Sequence, residues 1–120
     1  MIRFIALAGA LALASLTLAA CGGSEDGGER RVIAITQTDQ ACTPASIDLA
    51  LKEKVTFEVK NDSDKAKEVE GIDGTKLEET IIPEKRTRNV KYTAPGEAGT
   101  YKIKCYQPGG MNTIIELKVS

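Results

Sequence analysis

The chain has no histidine and no tryptophan in its 120 residues, and only five phenylalanines and tyrosines together. Without histidine, neither a Ser–His nor a Cys–His nucleophile can be assembled, and the commonest general base is missing. Glu68 and Glu70 come nearest to a carboxylate dyad, but two acids leaving one face of a strand do not flank a substrate. The expectation is a protein that is not an enzyme. Basic and acidic residues nearly cancel, 16 against 17 for a net charge of −1. No basic stripe is available for a phosphate backbone, and too few aromatic residues exist to stack bases, so nucleic acid is excluded as a partner. Internal repeats and long helical periodicity are absent as well.

What is present begins with an address. Residues 1–20 read as a secretory signal: Arg3 supplies the positive start, Phe4 to Leu18 is an apolar run, and small residues precede Cys21. Leu18-Ala19-Ala20-Cys21 resembles the bacterial lipobox. That resemblance implies cleavage before Cys21, acylation of that cysteine, and a mature protein held by lipid at the extracytoplasmic side of a bacterial membrane. The alternatives are a plain signal peptide with an incidental cysteine or an uncleaved anchor, although the run is short for a spanning helix of about 20 residues. No second apolar run follows. Residues 21–29 form a linker in which Gly, Ser and acidic residues can bury nothing. Residues 30–120 remain, a length suited to one small domain. Without Arg3 the balance is 15 basic residues to 17 acidic.

That domain alternates almost throughout. Arg31 to Thr36 reads as a first strand. Ser46 to Leu51 puts Ile47, Leu49 and Leu51 on one face, and Lys54 to Lys60 does the same with Val55, Phe57 and Val59. Lys67 to Ile72 and Leu77 to Ile82 are shorter and more polar, as edge strands are. Thr87 to Thr93 precedes two closing strands, the first with Tyr101, Ile103 and Cys105 inward and the second with Ile115, Leu117 and Val119 inward. Turn signals separate them at residues 61–64, Asp73-Gly74, Pro83-Glu84, Pro95-Gly96 and Pro108-Gly109-Gly110. Seven or eight short strands at this spacing predict an all-β fold, an antiparallel β-sandwich.

A strand ending in inward Cys105, a Pro-Gly loop carrying Met111 and a last strand resemble the copper-ligand loop of the cupredoxins, which delivers a Cys, a His and a Met to one metal. Greek-key connections are implied by that resemblance. Gly110 stands where an azurin-like loop would place its histidine, so a type 1 blue-copper carrier is ruled out. The likeness runs along nearly the whole domain. It takes in Cys42-Thr43-Pro44 with Ile47 and Leu49, Val55 to Asn61, Ala66 to Glu70 where a copper protein carries its first histidine, Ile82-Pro83, and Pro95 to Cys105. It is most specific for the EfeO-type cupredoxin-like domain, which opens a periplasmic component of a bacterial iron-uptake system and also lacks the copper histidines. The Cys-x-Pro, Glu-x-Glu and late Cys of that family fall here on Cys42, Glu68, Glu70 and Cys105. The helical domain that carries a His-x-x-Glu motif in that component has no counterpart in these residues, so roles resting on it are not carried over.

These positions have rival readings. Cys42 and Cys105, an even pair in an exported protein, are either a disulfide, paired metal-ligating thiols or unpaired buried thiols. Glu68 and Glu70 share a face, as ligands or as an ordinary solvated edge. Met111 either ligates or caps the core. Carboxylates suit hard ions, whereas thiolates and a thioether suit copper(I), so a mixed site implies copper or iron. The favoured expectation is a membrane-anchored extracytoplasmic domain that captures or hands over such an ion, beside a metal-transport permease and in connection with iron uptake. The alternative is a metal-free sandwich lipoprotein, its cysteines bridged, serving as a structural or interaction module.

Overall fold

The computed structural model describes residues 30–120, so the expected signal peptide at 1–20, the expected lipidation site Cys21 and the expected linker at 21–29 lie outside the described residues. Side chains that alternate between apolar and polar sort the rest into two facing layers. In chain order the strands are β1 (Arg31–Gln37), β2 (Cys42–Thr43), β3 (Ser46–Leu49), β4 (Lys54–Asn61), β5 (Lys67–Ile72), β6 (Thr80–Ile82), β7 (Thr87–Thr93), β8 (Gly99–Tyr106) and β9 (Asn112–Val119). One sheet has the order β2-β1-β4-β7 and the other β3-β9-β8-β5-β6. The all-β sandwich is therefore present, with one correction to its wholly antiparallel expectation. β1 runs parallel to β4, with Ile33 opposite Phe57, and β3 runs parallel to β9, with Ile47 opposite Leu117. Parallel neighbours need a crossover, and here the chain supplies it by passing between the two sheets.

The inward residues form one core. Ile35, Val55, Phe57 and Val59 from the first sheet face Val69, Ile103, Ile115 and Leu117 from the second, all buried. Each such side chain contributes about 2 kcal/mol by leaving water. Phe57 stacks on Tyr92 with ring centroids 5.6 Å apart, and Tyr101, half-buried, keeps its hydroxyl outside by donating to the Glu97 carbonyl. Leu51 departs from its expected inward position and is 46% exposed. Its strand ends at Leu49, and the turn that follows carries Lys52 at φ 59°. The strand expected from Leu77 shortens to Thr80–Ile82. Residues 73–77 instead fold back over β5, where the Gly71 amide donates to the Leu77 carbonyl. A Cβ on Gly71 would run into the Thr75 carbonyl and lie 2.9 Å from the Leu77 nitrogen, so only glycine lets the turn close there.

Candidate functional site at the bridged end of the sandwich

One end of the sandwich gathers the close of β1, the start of β2, the close of β4, the start of β5 and the loop between β8 and β9. Inward parity in β8 carries Cys105 into the core, fully buried, and the register of β2 against β1 brings in Cys42, 5% exposed. The two form a disulfide with Cα atoms 6.4 Å apart, tying the four-stranded sheet to the five-stranded one. Thr113 braces the same spot: its hydroxyl accepts from the Cys42 amide at 3.1 Å and donates to the Cys105 carbonyl at 3.4 Å.

Polar side chains surround the bridge. Gln37 is fully buried, and its Nε2 donates to Cys105 Sγ at 3.2 Å and to the Glu68 carbonyl at 3.5 Å, while its Oε1 accepts from no group among the described residues. Lys67, the next inward residue of β5 beyond Val69, is fully buried as well. Its ammonium donates to Gln107 Oε1 at 2.8 Å and pairs with Asp39 at 3.2 Å. Asn61 closes the layer by donating to the Lys65 and Ile82 carbonyls and accepting from Ser63. Over these groups lies a cleft of about 390 Å³ lined in part by Asp39, Lys65, Gln107 and Met111.

Met111 packs against the core cluster that contains both cysteines. Glu68 and Glu70 stand elsewhere. Val69 is the register partner of Cys105, and both are buried. The glutamates on either side of Val69 therefore leave the outer face of the five-stranded sheet, opposite Tyr106 and Lys104. Lys104 lies 4.0 Å from Glu70 and 4.1 Å from the centre of the Tyr106 ring. The structure thus brings Cys42, Cys105 and Met111 to one end and puts the two glutamates on the other side of the sheet. Among the described residues, no group of three or more Cys, Asp or Glu side chains is placed to hold a metal ion.

On this outer face Glu68, Glu70 and Glu79 bring like charges together, offset in part by Lys104. The Glu79 carboxyl is held above the usual carboxylate range, chiefly by its hydrogen bond to Glu68 and then by the Glu68 charge. Tyr106 is pushed up to about 12, first by loss of solvent around its phenol, then by its hydrogen bond to Glu68 and by the surrounding carboxylates. A carboxyl whose pKa is higher folded than unfolded stabilises the fold at low pH and loses that contribution as pH rises through the folded value. Glu79→Gln is therefore expected to raise Tm at neutral pH and to leave it unchanged near about pH 3, below the ordinary carboxylate range. Calorimetry at the two pH values checks this, since an equal shift at both would remove charge repulsion as the cause.

Sequence reasoning missed Gln37, Asp39, Lys67 and Gln107. Its own alternation held part of the signal: Ile33, Ile35 and Gln37 share a parity, and so do Lys67 and Val69. That parity puts Lys67 inside and Glu68 outside.

Two facing sheets with a late cysteine at one end define a cupredoxin-type sandwich. The chain belongs to the cupredoxin-like domain family, whose profile matches residues 4–114. Among solved structures it is similar to auracyanin A, a blue copper protein of Chloroflexus aurantiacus, with a TM-score of 0.65 and 18% identity, over 77% of this chain and 100% of that one. It is similar also to the dithionite-reduced auracyanin of Roseiflexus castenholzii, with a TM-score of 0.61 and 16% identity, over 78% of this chain and 99% of that one. Comparison with curated proteins gives no match. At these identities the likeness is one of fold. The residues present do not fit a blue-copper ion: the Cys105 sulfur is bonded to Cys42, the chain has no histidine, and an ammonium lies buried at the same end.

Proposed function

We propose that the protein is an exported, lipid-tethered interaction module that uses the cupredoxin sandwich without a resident metal and without enzymatic chemistry. The observation that carries this reading is the Cys42–Cys105 bridge, which takes both candidate thiolates out of reach of a metal and fastens the sheets together instead. The outer face of the five-stranded sheet supports it. Ile81, exposed on edge strand β6, lies in register with Glu68 and Tyr106 across the sheet. An apolar and aromatic strip edged by Glu68, Glu70 and Glu79 suits a partner carrying basic side chains. Equilibrium dialysis of the oxidised protein against copper(II) and iron(III) tests the reading. Stoichiometry near zero is expected. One equivalent of ion per chain, abolished by Glu68→Ala with Glu70→Ala, would replace this reading with metal capture at the acidic face.

A second reading is favoured by one observation, the shared location of Cys42, Cys105 and Met111. Once the bridge is reduced, three sulfurs suited to copper(I) are grouped at one end. In this reading the domain captures the ion and hands it to a metal-transport permease. Iron would call on the carboxylates of the outer face instead, as the proposed link to iron uptake requires. Repeating the dialysis on reduced protein with copper(I) separates the two readings.

A further inference from the structure

We propose that the Cys42–Cys105 bridge is a reversible two-electron couple that undergoes thiol–disulfide exchange with a dithiol partner, and that Gln37 is the positioning residue that favours its reduced form. The argument starts from a mismatch. Gln37 is fully buried beside the bridge, and its amide offers two N–H donors and an acceptor oxygen. The two donors are used on Cys105 Sγ and the Glu68 carbonyl, while Oε1 has no hydrogen-bond partner among the described residues. Rotating the amide by half a turn gives no relief, because oxygen would then face a sulfur and a carbonyl that both only accept. A bridge sulfur carries no hydrogen, so the oxidised pair cannot answer Oε1. In the dithiol form each sulfur carries a proton. One S–H can be given to Oε1 while Nε2 continues to donate to Cys105 Sγ. A buried acceptor left unmatched is costly, whereas an apolar side chain at position 37 would be indifferent to the state of the bridge.

The route of exchange follows from exposure. Cys42 is the more exposed residue of the pair, and it sits on β2, a two-residue strand at the edge of its sheet, held to β1 by the pairs Thr36–Thr43 and Gln37–Cys42. A thiolate of the partner attacks Cys42 Sγ, forming a mixed disulfide and releasing Cys105 Sγ with the electron pair of the broken bond. Gln37 Nε2 already donates to that leaving sulfur. The second thiol of the partner then attacks its own half of the mixed disulfide and releases Cys42. The partner departs as a disulfide, having given up two electrons, and two protons end on Cys42 and Cys105.

The purified full chain is equilibrated with reduced and oxidised dithiothreitol over a series of ratios and quenched with acid. Free thiols are counted by alkylation and mass spectrometry, with circular dichroism recorded alongside. The wild type is expected to reach the dithiol state with its β-sheet signal intact. Gln37→Leu is expected to need about tenfold more reducing conditions for half-reduction, which is about 30 mV for a two-electron couple. Gln37→Met serves if the leucine variant does not fold. Loss of the β-sheet signal in step with thiol release in the wild type would overturn the proposal, and so would a half-reduction ratio unchanged by the Gln37 variants. Metal dialysis of the oxidised protein is blind to both outcomes, so the interaction-module reading stands or falls separately.

Discussion

Replacing Cys42 and Cys105 together with alanine is expected to lower the free energy of unfolding by about 4 kcal/mol, because the bridge closes a loop between residues 63 apart in the chain. Cross-linking confines the unfolded chain far more than the folded one, where the two Cα atoms are already neighbours. The effect is large for a domain of this size, whose whole stability is on the order of 5–10 kcal/mol. Urea unfolding of the oxidised wild type and the double variant measures it. The variant should also show a steeper urea dependence, since its unfolded state exposes more surface. A loss below about 1 kcal/mol would mean that packing alone holds the sheets in place at that end.

Lys67→Ala is expected to cost about 3 kcal/mol, and Lys67→Met to stay within about 1 kcal/mol of the wild type. The stem of Lys67 lies wholly inside the sandwich, so truncation leaves a cavity among Val69, Ile82 and their neighbours on the same inner face. Its ammonium has good partners in Gln107 and Asp39, but bringing a cation out of water consumes much of what those contacts return. Asp39 is 67% exposed, so losing the cation returns its charge to water at little cost. Methionine keeps the volume and drops the charge. Chemical denaturation of both variants checks the pair of values. If the methionine variant lost as much as the alanine variant, the ion pair rather than the stem would be holding that end together.

The fold was legible because its strands announce themselves by parity. Val55, Phe57 and Val59, or Ile115, Leu117 and Val119, alternate so strictly that a one-residue slip would turn the core outward. The parallel pairings were not legible, because alternation states which face a residue takes and says nothing about which strand lies beside it. Of the site, the convergence of Cys42 with Cys105 could be anticipated from the family likeness, and the bridge is present. The grouping of Glu68 and Glu70 with them followed from the same likeness but ran against parity within the chain. Val69 is apolar and turns inward, so its two neighbours turn outward. Gln37 and Lys67 escaped notice because polar side chains at the last and first positions of strands look like the start of a loop. Their burial is decided by the opposite sheet, which lies across a distance in sequence that local patterns do not span.

The bridge also decides how the domain answers a pull on its N-terminal end. Tension entering at Arg30 is borne first by β1, whose seven register partners on β4 run alongside it and resist sliding together. Should that strand peel away, the chain can pay out only as far as Cys42, where the covalent link passes the load directly to β8 in the second sheet. With the link open the load would run past β2, whose only strand partner among the described residues is β1, and on to β3, so the same bond that closes the pole also sets the mechanical stop.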